Sequence, residues 1–320
     1  MKILLTGGAG FIGSHLAERL LREDHHLAII DDLNDYYSPH LKRRNLEEVR
    51  RSGEFLFHHA DIRDAEAMGR VVGGFRPDAI IHLAARAGVR PSLEQPLLYE
   101  QVNVFGTIAL LEAARACGVR KFVFASSSSI YGNTNQAPFR ESDANNLPIS
   151  PYAATKLAGE KICFTYSHLY GLDVVCLRYF TVFGPRQRPD LAIRKFVAKI
   201  ERGEPITVFG DGSSGRDYTF VADTVDGTVR ALHYPARYEI FNLGNSRPVT
   251  LNEMIAAIEA VLGKRARIER REDQPGDVRL TCADIGKAQR LLGYDPKTPF
   301  ARGLEEFVCW TDLGLGVLAK

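Results

Sequence analysis

The chain has 320 residues, of which 45% are hydrophobic and 25% charged, and its formal net charge is +2. This composition is typical of a globular protein with one large core or two smaller units, and the small net charge argues against a nucleic-acid or membrane-surface partner. The chain has no apolar run of the ~18 residues that a membrane span needs, and Met1-Lys2 leads directly into an apolar run, so we expect a cytoplasmic protein without a signal peptide.

The first half of the chain alternates short apolar runs with helix-period segments. Apolar runs without strict alternation are typical of strands buried on both faces of a parallel sheet. They occupy 3–6, 27–31, 54–58, 79–83, 121–126 and 173–179. Helices are predicted between them, for example over 11–22 and 95–117. Strands alternating with helices predict an α/β fold with right-handed crossovers and a doubly wound parallel sheet of the Rossmann type.

The second half of the chain is less regular, because prolines and glycines interrupt it before helices predicted near 221–233 and 250–262. We therefore expect a dinucleotide-binding domain over 1–180, which also takes in about 219–243. A smaller mixed α/β substrate domain is expected over 181–320, interleaved with the first domain.

Three glycines directly after the first predicted strand form the pattern G-x-x-G-x-x-G. Gly7 permits a tight turn, Gly10 lets the backbone approach a pyrophosphate, and Gly13 lets helix and strand pack closely. The positive end of the following helix, with Phe11 and Ile12 in its first turn, favours phosphate groups. The pattern predicts a dinucleotide site.

Two adjacent carboxylates end the second predicted strand, about 20 residues after the glycine turn. Asp31 and Asp32 are placed to accept hydrogen bonds from the adenosine ribose and to repel the 2′-phosphate of NADP, so NAD is the predicted cofactor. Asp32 can equally be an exposed loop carboxylate. Asp61 and Ile62 follow the third strand and are predicted to flank the adenine.

Small residues close the fourth predicted strand, in the sequence Leu83-Ala84-Ala85, and they allow the cofactor to approach closely. Tyr179, at the end of the sixth predicted strand, completes the set of predicted cofactor-binding residues.

Tyr152 and Lys156 form a Y-x-x-x-K pattern that follows a strand ending in serines. On a helix, residues four apart lie on one face, so Lys156 is expected to lower the pKa of the Tyr152 phenol, which is otherwise near 10. Ser127 is expected to hold a substrate hydroxyl. The alternative is an amphipathic helix that carries both residues by chance.

Several segments together resemble the extended short-chain dehydrogenase/reductase superfamily, and within it the NAD-dependent nucleotide-sugar epimerases. They are T-G-G-A-G-F-I-G at 6–13, H-L-A-A at 82–85, A-S-S-S-S-I-Y-G at 125–132, S-P-Y-A-A-T-K at 150–156, R-Y-F at 178–180, G-R-D-Y at 215–218 and P-G-D-V at 275–278. The resemblance is strongest to UDP-glucuronate 4-epimerases, through N-D-Y-Y at 34–37, A-G-V-R at 87–90, F-T-V-F-G-P at 180–185 and R-P-D at 188–190.

The resemblance also separates related enzymes at positions near the sugar. Dehydratases of this group have an Asp-Glu pair, and decarboxylases a Ser-Glu pair, where this chain has Ser128 and Ser129; hexose epimerases have asparagine at Thr181. The hydroxyl groups of Ser128, Ser129 and Thr181 suit a sugar carboxylate, and Arg90 or Arg188 could form an ion pair with it. These two arginines can equally be a surface residue and a phosphate contact.

The resemblance implies further roles and a mechanism. Arg216 and Asp277 match positions that hold the diphosphate and ribose of a UDP-sugar. NAD remains bound, Tyr152 takes a proton from the sugar 4-hydroxyl, and a 4-keto intermediate turns over before the hydride returns. A homodimer is implied, formed by the helices over 95–117 and 152–170, although core packing within one chain would use the same apolar residues.

Two other functions remain open from the residues alone: a UDP-glucose 4-epimerase, and a non-catalytic NAD-binding regulator. No metal is predicted, since the histidines lack a metal-binding spacing. The five cysteines form no C-x-x-C pair and are expected to be reduced and mostly buried. The basic runs at 42–44 and 265–271 are expected to be solvated faces rather than nucleic-acid grooves.

Overall fold

The computed structural model describes residues 1–133, 136–143, 147–272 and 279–311. Its strands, in chain order, are β1 (Lys2–Thr6), β2 (His26–Asp31), β3 (Phe55–His59), β4 (Ala79–His82), β5 (Lys121–Ser127), β6 (Asp173–Tyr179), β7 (Thr181–Phe183), β8 (Pro205–Phe209), β9 (Gly215–Phe220), β10 (Tyr238–Leu243), β11 (Pro248–Thr250) and β12 (Arg267–Arg271). Its α-helices are α1 (Phe11–Arg22), α2 (Pro39–Arg50), α3 (Ala65–Phe75), α4 (Val89–Glu94), α5 (Pro96–Glu100), α6 (Gly106–Ala116), α7 (Pro151–Tyr170), α8 (Ala192–Glu201), α9 (Val221–His233), α10 (Leu251–Leu262), α11 (Gly286–Leu292) and α12 (Phe300–Trp310).

The central sheet has seven parallel strands in the order β10-β6-β5-β4-β1-β2-β3. The strand order reverses between β1 and β4, and in open α/β sheets a ligand crevice forms at this point, beyond the carboxyl ends of the strands. The predicted doubly wound α/β sheet is confirmed.

All strands of this sheet except β3 contribute side chains to two separate cores. Ile3 and Leu5 of β1 belong to the core shared with α1, whereas Leu4 between them belongs to the core shared with α3 and α6. Helices therefore cover both faces, which explains why the strands read as continuous apolar runs rather than as alternating ones.

Two small sheets lie outside the central one, in the orders β11-β9-β7 and β12-β8. The pairing is mixed, since β11 runs antiparallel to β9 while the other pairs are parallel. After β9 and α9 the chain returns to the central sheet as β10. This strand lies within the range 219–243 that the sequence assigned to the first domain. The domain boundaries themselves stay predictions.

The helix predicted over 95–117 is interrupted by a π-helix at Gln101–Phe105, between α5 and α6. The extra residue in this turn accommodates Asn103, whose amide accepts a hydrogen bond from Arg86 N (2.8 Å) and donates to Arg86 O (3.0 Å) and Thr155 Oγ1 (3.0 Å). A single π-turn within a helix is often found at a functional site. The periodicity of the sequence contained no sign of it.

The cysteines and the helix lengths bear on two further expectations. All five cysteines have free thiols, but Cys117 and Cys309 are exposed and Cys282 is half-buried, so the expectation of mostly buried thiols was wrong. In the described ranges, no helix is both long and apolar enough to cross a membrane.

Candidate active site

A cleft of about 480 Å³ opens at the carboxyl ends of the central strands. It is lined by every residue predicted from the sequence to bind the cofactor or to take part in catalysis. These are Gly7, Gly10, Phe11, Ile12, Gly13, Asp31, Asp32, Asp61, Ile62, Leu83, Ala84, Ala85, Ser127, Tyr152, Lys156 and Tyr179. Segments far apart in the sequence thus meet in one cavity, as the strand topology requires.

The glycine turn has no room for side chains. Gly7 has a φ of +74°, and a Cβ there would lie 2.7 Å from Ala84 N; a Cβ on Gly13 would lie 2.1 Å from Gly7 O. The first-turn N–H groups of α1 lack intrahelical acceptors and border the cleft, which suits an anionic group. The turn fits the pyrophosphate of a dinucleotide.

We expect Gly13→Ala to lower NAD affinity by at least about tenfold, because a 2.1 Å contact with Gly7 O must push α1 away from β1. Gly69→Ala on α3 is the matched control, since no atom lies within 4 Å of its added methyl group. Alanine should there stabilise the helix by about 0.5–1 kcal/mol. Isothermal titration with NAD and urea unfolding measure both effects; equal NAD affinities in the two variants would contradict the assignment of the turn.

Asp31 braces the glycine turn in addition to bordering the cleft. Its carboxylate accepts hydrogen bonds from Ala9 N (3.1 Å) and Leu33 N (2.9 Å). Burial raises the pKa of Asp31, while the Lys42 charge and these two N–H groups oppose the rise. Asp32 instead accepts from Asn34 N (3.1 Å) and Asn34 Nδ2 (2.6 Å), at the start of the following loop.

Lys42 does not lie on a solvated face, as the sequence predicted for the run 42–44. It is 4% exposed and lines the cleft, where its Nζ donates to Asn34 O at 2.8 Å and lies 5.0 Å from the centroid of the Tyr37 ring. Burial lowers the pKa of Lys42, and Asp31 and Asp32 oppose that shift. The expectation failed because the carboxylates that attract this lysine come from another element.

The catalytic pair lies in the first turns of α7, whose start is defined by local sequence. Ser150 caps the helix by accepting from Ala153 N at 3.2 Å, and Pro151 occupies the first helical position, which favours proline. This cap places Tyr152 and Lys156 beside the carboxyl end of β5, where Ser127 lies.

The electrostatics of Tyr152 differ in one respect from the expectation. Burial raises the pKa of Tyr152, and the opposing influences are a hydrogen bond with Ser127 and the positive charge of Arg188. The Lys156 ammonium donates to Ala125 O at 2.7 Å, and burial lowers its own pKa to about 8. The influences that oppose the rise in the Tyr152 pKa are thus Ser127 and Arg188, and Lys156 is not among them.

Part of the cleft lining is polar and includes residues that the sequence predicted to bind the substrate. Four of the predicted substrate residues line the cleft, namely Ser128, Ser129, Thr181 and Arg188. Arg188 forms two hydrogen bonds with Asp190, from Nε and Nη2, each 2.9 Å long. Its positive charge opposes the rise that burial causes in the pKa of Tyr152.

The remaining predicted substrate residues are placed differently. Arg90 is exposed, with its guanidinium carbon 5.7 Å from the centroid of the Phe209 ring, and it lies outside the lining of the cleft. Arg216 also lies outside that lining and donates from Nη1 to Gly215 O at 2.9 Å. Asp277 lies outside the described residues. The binding roles of all three stay predictions.

Tyr36 and Arg86 also line the cleft and were not predicted as site residues. Tyr36 belongs to the N-D-Y-Y segment, which was noted only for its resemblance, and Arg86 directly follows the last predicted residue of the fourth strand region. Because the carboxyl ends of parallel strands carry binding residues, the position of Arg86 was the available signal.

His82 is a buried histidine whose ring connects β4 to β1 and α6. Its Nδ1 lies 2.7 Å from Thr6 Oγ1, and its Nε2 lies 3.0 Å from Thr107 Oγ1. Since Thr107 donates its proton to Asn103 O (2.6 Å), Nε2 must carry the imidazole proton. Burial, with the Lys156 charge, lowers the pKa of His82 to about 3, so the ring is neutral. Across the described part of the chain, no group of residues is arranged to hold a metal ion.

Comparisons with known proteins agree with this geometry. A family described as GDP-mannose 4,6 dehydratase matches residues 4–307. The chain is 44% identical over 309 residues to a UDP-glucuronate 4-epimerase of Thermodesulfobacterium geofontis, covering 96% of this chain and 95% of that protein. The crystal structure of a UDP-glucuronic acid 4-epimerase from Bacillus cereus, in complex with UDP-glucuronic acid and NAD, superposes with a TM-score of 0.91 at 36% identity, covering 98% and 99% of the two chains. A UDP-glucose 4-epimerase from Thermotoga maritima, with UDP-glucose, also gives a TM-score of 0.91, at 33% identity and 98% and 100% coverage.

Proposed function

This chain belongs to the family described as GDP-mannose 4,6 dehydratase, and on that basis we propose that it is an NAD-dependent isomerase that converts a UDP-sugar into its 4-epimer. The observation that carries the proposal is the meeting of Ser127, Tyr152 and Lys156 in the same cleft as the glycine turn. Serines 128 and 129 stand where the resembling dehydratases have their acid pair, so this site lacks the groups for loss of water.

We propose UDP-glucuronate as the substrate and UDP-galacturonate as the product. Among the described residues that line the cleft, Arg188 is the only predicted sugar-binding residue with a positive charge. It also lies close enough to Tyr152 to influence the pKa of that phenol. These observations support the proposed substrate. A sugar carboxylate close to C4 would pair with this guanidinium and accept hydrogen bonds from the hydroxyl groups of Ser128 and Thr181. UDP-glucose is the second candidate, because the Thermotoga maritima structure is equally similar.

The residues of the chain perform the proton chemistry. NAD, when bound along Gly7–Gly13 and Asp31, supplies the acceptor and later the donor of the C4 hydride. Tyr152 as phenolate accepts the proton of the sugar 4-hydroxyl, and Ser127 orients that hydroxyl by hydrogen bonding. The 4-keto sugar then rotates so that C4 would take the hydride back on its opposite face, while Tyr152 returns its proton to the 4-oxygen.

Turning the sugar requires a firm hold on the nucleotide and a loose hold on the ring. We assign the hold on the diphosphate to Arg216 and to the neighbouring part of β9. Short hydroxyl side chains at positions 128, 129 and 181 offer hydrogen bonds to either face of the sugar without blocking its rotation. Exclusion of water from the cleft protects the ketone.

The test is incubation of the purified protein with UDP-glucuronate and, separately, with UDP-glucose, followed by anion-exchange separation of the products. We expect conversion of UDP-glucuronate to UDP-galacturonate, with UDP-glucose unchanged. Conversion of UDP-glucose alone would favour the second candidate, and failure with both sugars and added NAD would favour a non-catalytic NAD-binding regulator.

Arg188→Gln should lower kcat/KM for UDP-glucuronate by about 30-fold or more, since a buried carboxylate would lose its charged partner. The Tyr152 pKa should also rise, because a positive charge that lowers it is removed. The acidic limb of the pH–rate profile is therefore expected to move to higher pH. UDP inhibition is the control and should be unchanged; a variant with normal kcat/KM would show that the carboxylate binds elsewhere.

We also propose a homodimer formed by the segment from α5 to α6 and by α7. Several large apolar side chains on these elements are exposed, including Leu97 (77%), Phe105 (48%) and Phe164 (49%), whereas Leu157 and Ile162 pack within the chain's own core. Sedimentation velocity of the purified protein tests this, with a monomer at micromolar concentration as the contrary result. A cytoplasmic location is proposed as well, in keeping with the free thiols.

A further inference from the structure

The ring of Tyr36 lies against two arginines of the cleft. Tyr36 belongs to the loop after β2, on the side of the cofactor turn, whereas Arg188 belongs to the segment between β7 and α8. The guanidinium carbon of Arg188 is 5.4 Å from the ring centroid, and that of Arg86 is 5.7 Å away. Both distances lie within the ~6 Å at which a cation is attracted to an aromatic face.

Tyr36 is itself held in place at both ends. Its backbone N–H donates to Asn34 Oδ1 at 3.1 Å. At the other end, a Cβ on Gly88 would lie 2.8 Å from the Tyr36 hydroxyl oxygen, so the phenol packs against the bare backbone of this glycine, which has a φ of +102°. Tyr36 is therefore anchored through its backbone at one end and closely packed at the other.

The guanidinium of Arg188 contacts two side chains, one at its edge and one at its face. Asp190 binds its Nε and Nη2 edge, and Tyr36 covers its face. The charged and titratable groups that interact with it are Asp190, Tyr36, Tyr37, Tyr99 and Tyr152. Tyr99 in turn contacts Tyr152, because the two rings meet edge-on with their centroids 6.2 Å apart.

We propose that Tyr36 is a positioning residue that acts across the cleft, holding the Arg188 guanidinium beside Tyr152 and toward the sugar. Asp190 binds the Nε and Nη2 edge of the guanidinium. The aromatic face adds a second contact, on the plane of the group, which opposes its displacement from the cleft. By holding the Arg188 charge near Tyr152, Tyr36 would promote proton transfer by Tyr152. It would also select for an anionic sugar, and this second effect rests on the proposed substrate.

The proposal separates the ring of Tyr36 from its hydroxyl group, and two substitutions separate them in the experiment. Tyr36→Leu removes the aromatic face, and we expect a loss of about tenfold in kcat/KM, which lies between the effects of an exposed and a desolvated cation–π contact. Tyr36→Phe keeps the face and should restore most of that loss. Tyr36→Met serves as a second ring-free variant if the leucine variant folds poorly, as judged by circular dichroism and bound NAD.

The pH dependence distinguishes positioning from simple loss of structure. If Arg188 moves away, the pKa of Tyr152 rises, and the acidic limb of kcat/KM should shift to higher pH in the leucine or methionine variant but not in the phenylalanine variant. A limb that stays in place in the ring-free variants would overturn the proposal, and so would a phenylalanine variant as impaired as they are.

The substrate question is kept apart by measuring the wild-type protein on both sugars first. With UDP-glucuronate as substrate, the ratio of kcat/KM for UDP-glucuronate to that for UDP-glucose should fall in Tyr36→Leu; an unchanged ratio would overturn the selectivity role. If only UDP-glucose reacts, the proposed substrate is wrong. The shift of the pH limb still tests Tyr36 in that case, because the interaction between Arg188 and Tyr152 involves no sugar carboxylate.

Discussion

Replacing Tyr152 by phenylalanine is expected to lower kcat by about 10²- to 10⁴-fold, the contribution of a well-placed general acid–base group. The substitution removes the hydroxyl group that exchanges a proton with the sugar 4-hydroxyl, while the ring keeps its edge-on contact with Tyr99. NAD and UDP-sugar binding should change little. The measurement is single-turnover kinetics together with titration calorimetry.

Tyr170→Phe is the matched control, because Tyr170 lies at the exposed end of the same helix, α7. It should retain the kcat of the wild type. A Tyr152→Phe variant with more than a tenth of the normal kcat would mean that another group carries the proton. Loss of NAD from this variant would instead mean that its hydroxyl serves the cofactor.

Arg178→Met is expected to lower the free energy of unfolding by about 3–5 kcal/mol, the usual effect of removing one partner from a buried ion pair. Arg178 on β6 binds Glu160 on α7 through two hydrogen bonds of 2.9 Å, and the two side chains are 2% and 0% exposed. Glu160 also accepts from Ser126 Oγ at 2.6 Å. The substitution would leave a carboxylate buried without a counter-charge directly behind the catalytic serine strand.

Two further variants make this prediction specific. Arg302→Met disrupts an exposed pair, in which the arginine side chain is 64% exposed, and should cost less than about 1 kcal/mol. The double variant Glu160→Leu with Arg178→Met should regain much of the lost stability, because no charge then remains buried. Urea unfolding measures all three; a single Arg178 variant as stable as the Arg302 variant would contradict the role of the pair.

The sequence predicted much of the central sheet because its signals are local. Helices α1 and α9 begin and end where predicted, at Phe11–Arg22 and Val221–His233. Strand β10 was not predicted, although its segment lies within the range 219–243 that the sequence assigned to the first domain. Only its second half is fully buried, which shortens the apolar run, and its partner β6 lies far earlier in the chain.

The site divides in the same way. The glycine turn and the Tyr152–Lys156 pair could be predicted because each group of functional atoms comes from one short segment. For Arg86 the only signal was its position directly after the fourth strand region. Tyr36 and Lys42 could not be predicted, since their role depends on neighbours from other loops. The π-turn at Asn103 was missed for the same reason, as its partners Arg86 and Thr155 belong to distant elements.

The sequence by itself thus determined the α/β class, and it predicted the glycine turn and the helix that carries Tyr152 and Lys156, because backbone conformation and helical spacing depend on residues that are close in the chain. Only the tertiary structure decided which positively charged side chains line the cleft. It shows that Arg188, rather than Lys156, opposes the rise in the Tyr152 pKa. Electrostatic effects depend on distance in space and on burial, and both arise only when separate loops meet at the edge of the folded sheet.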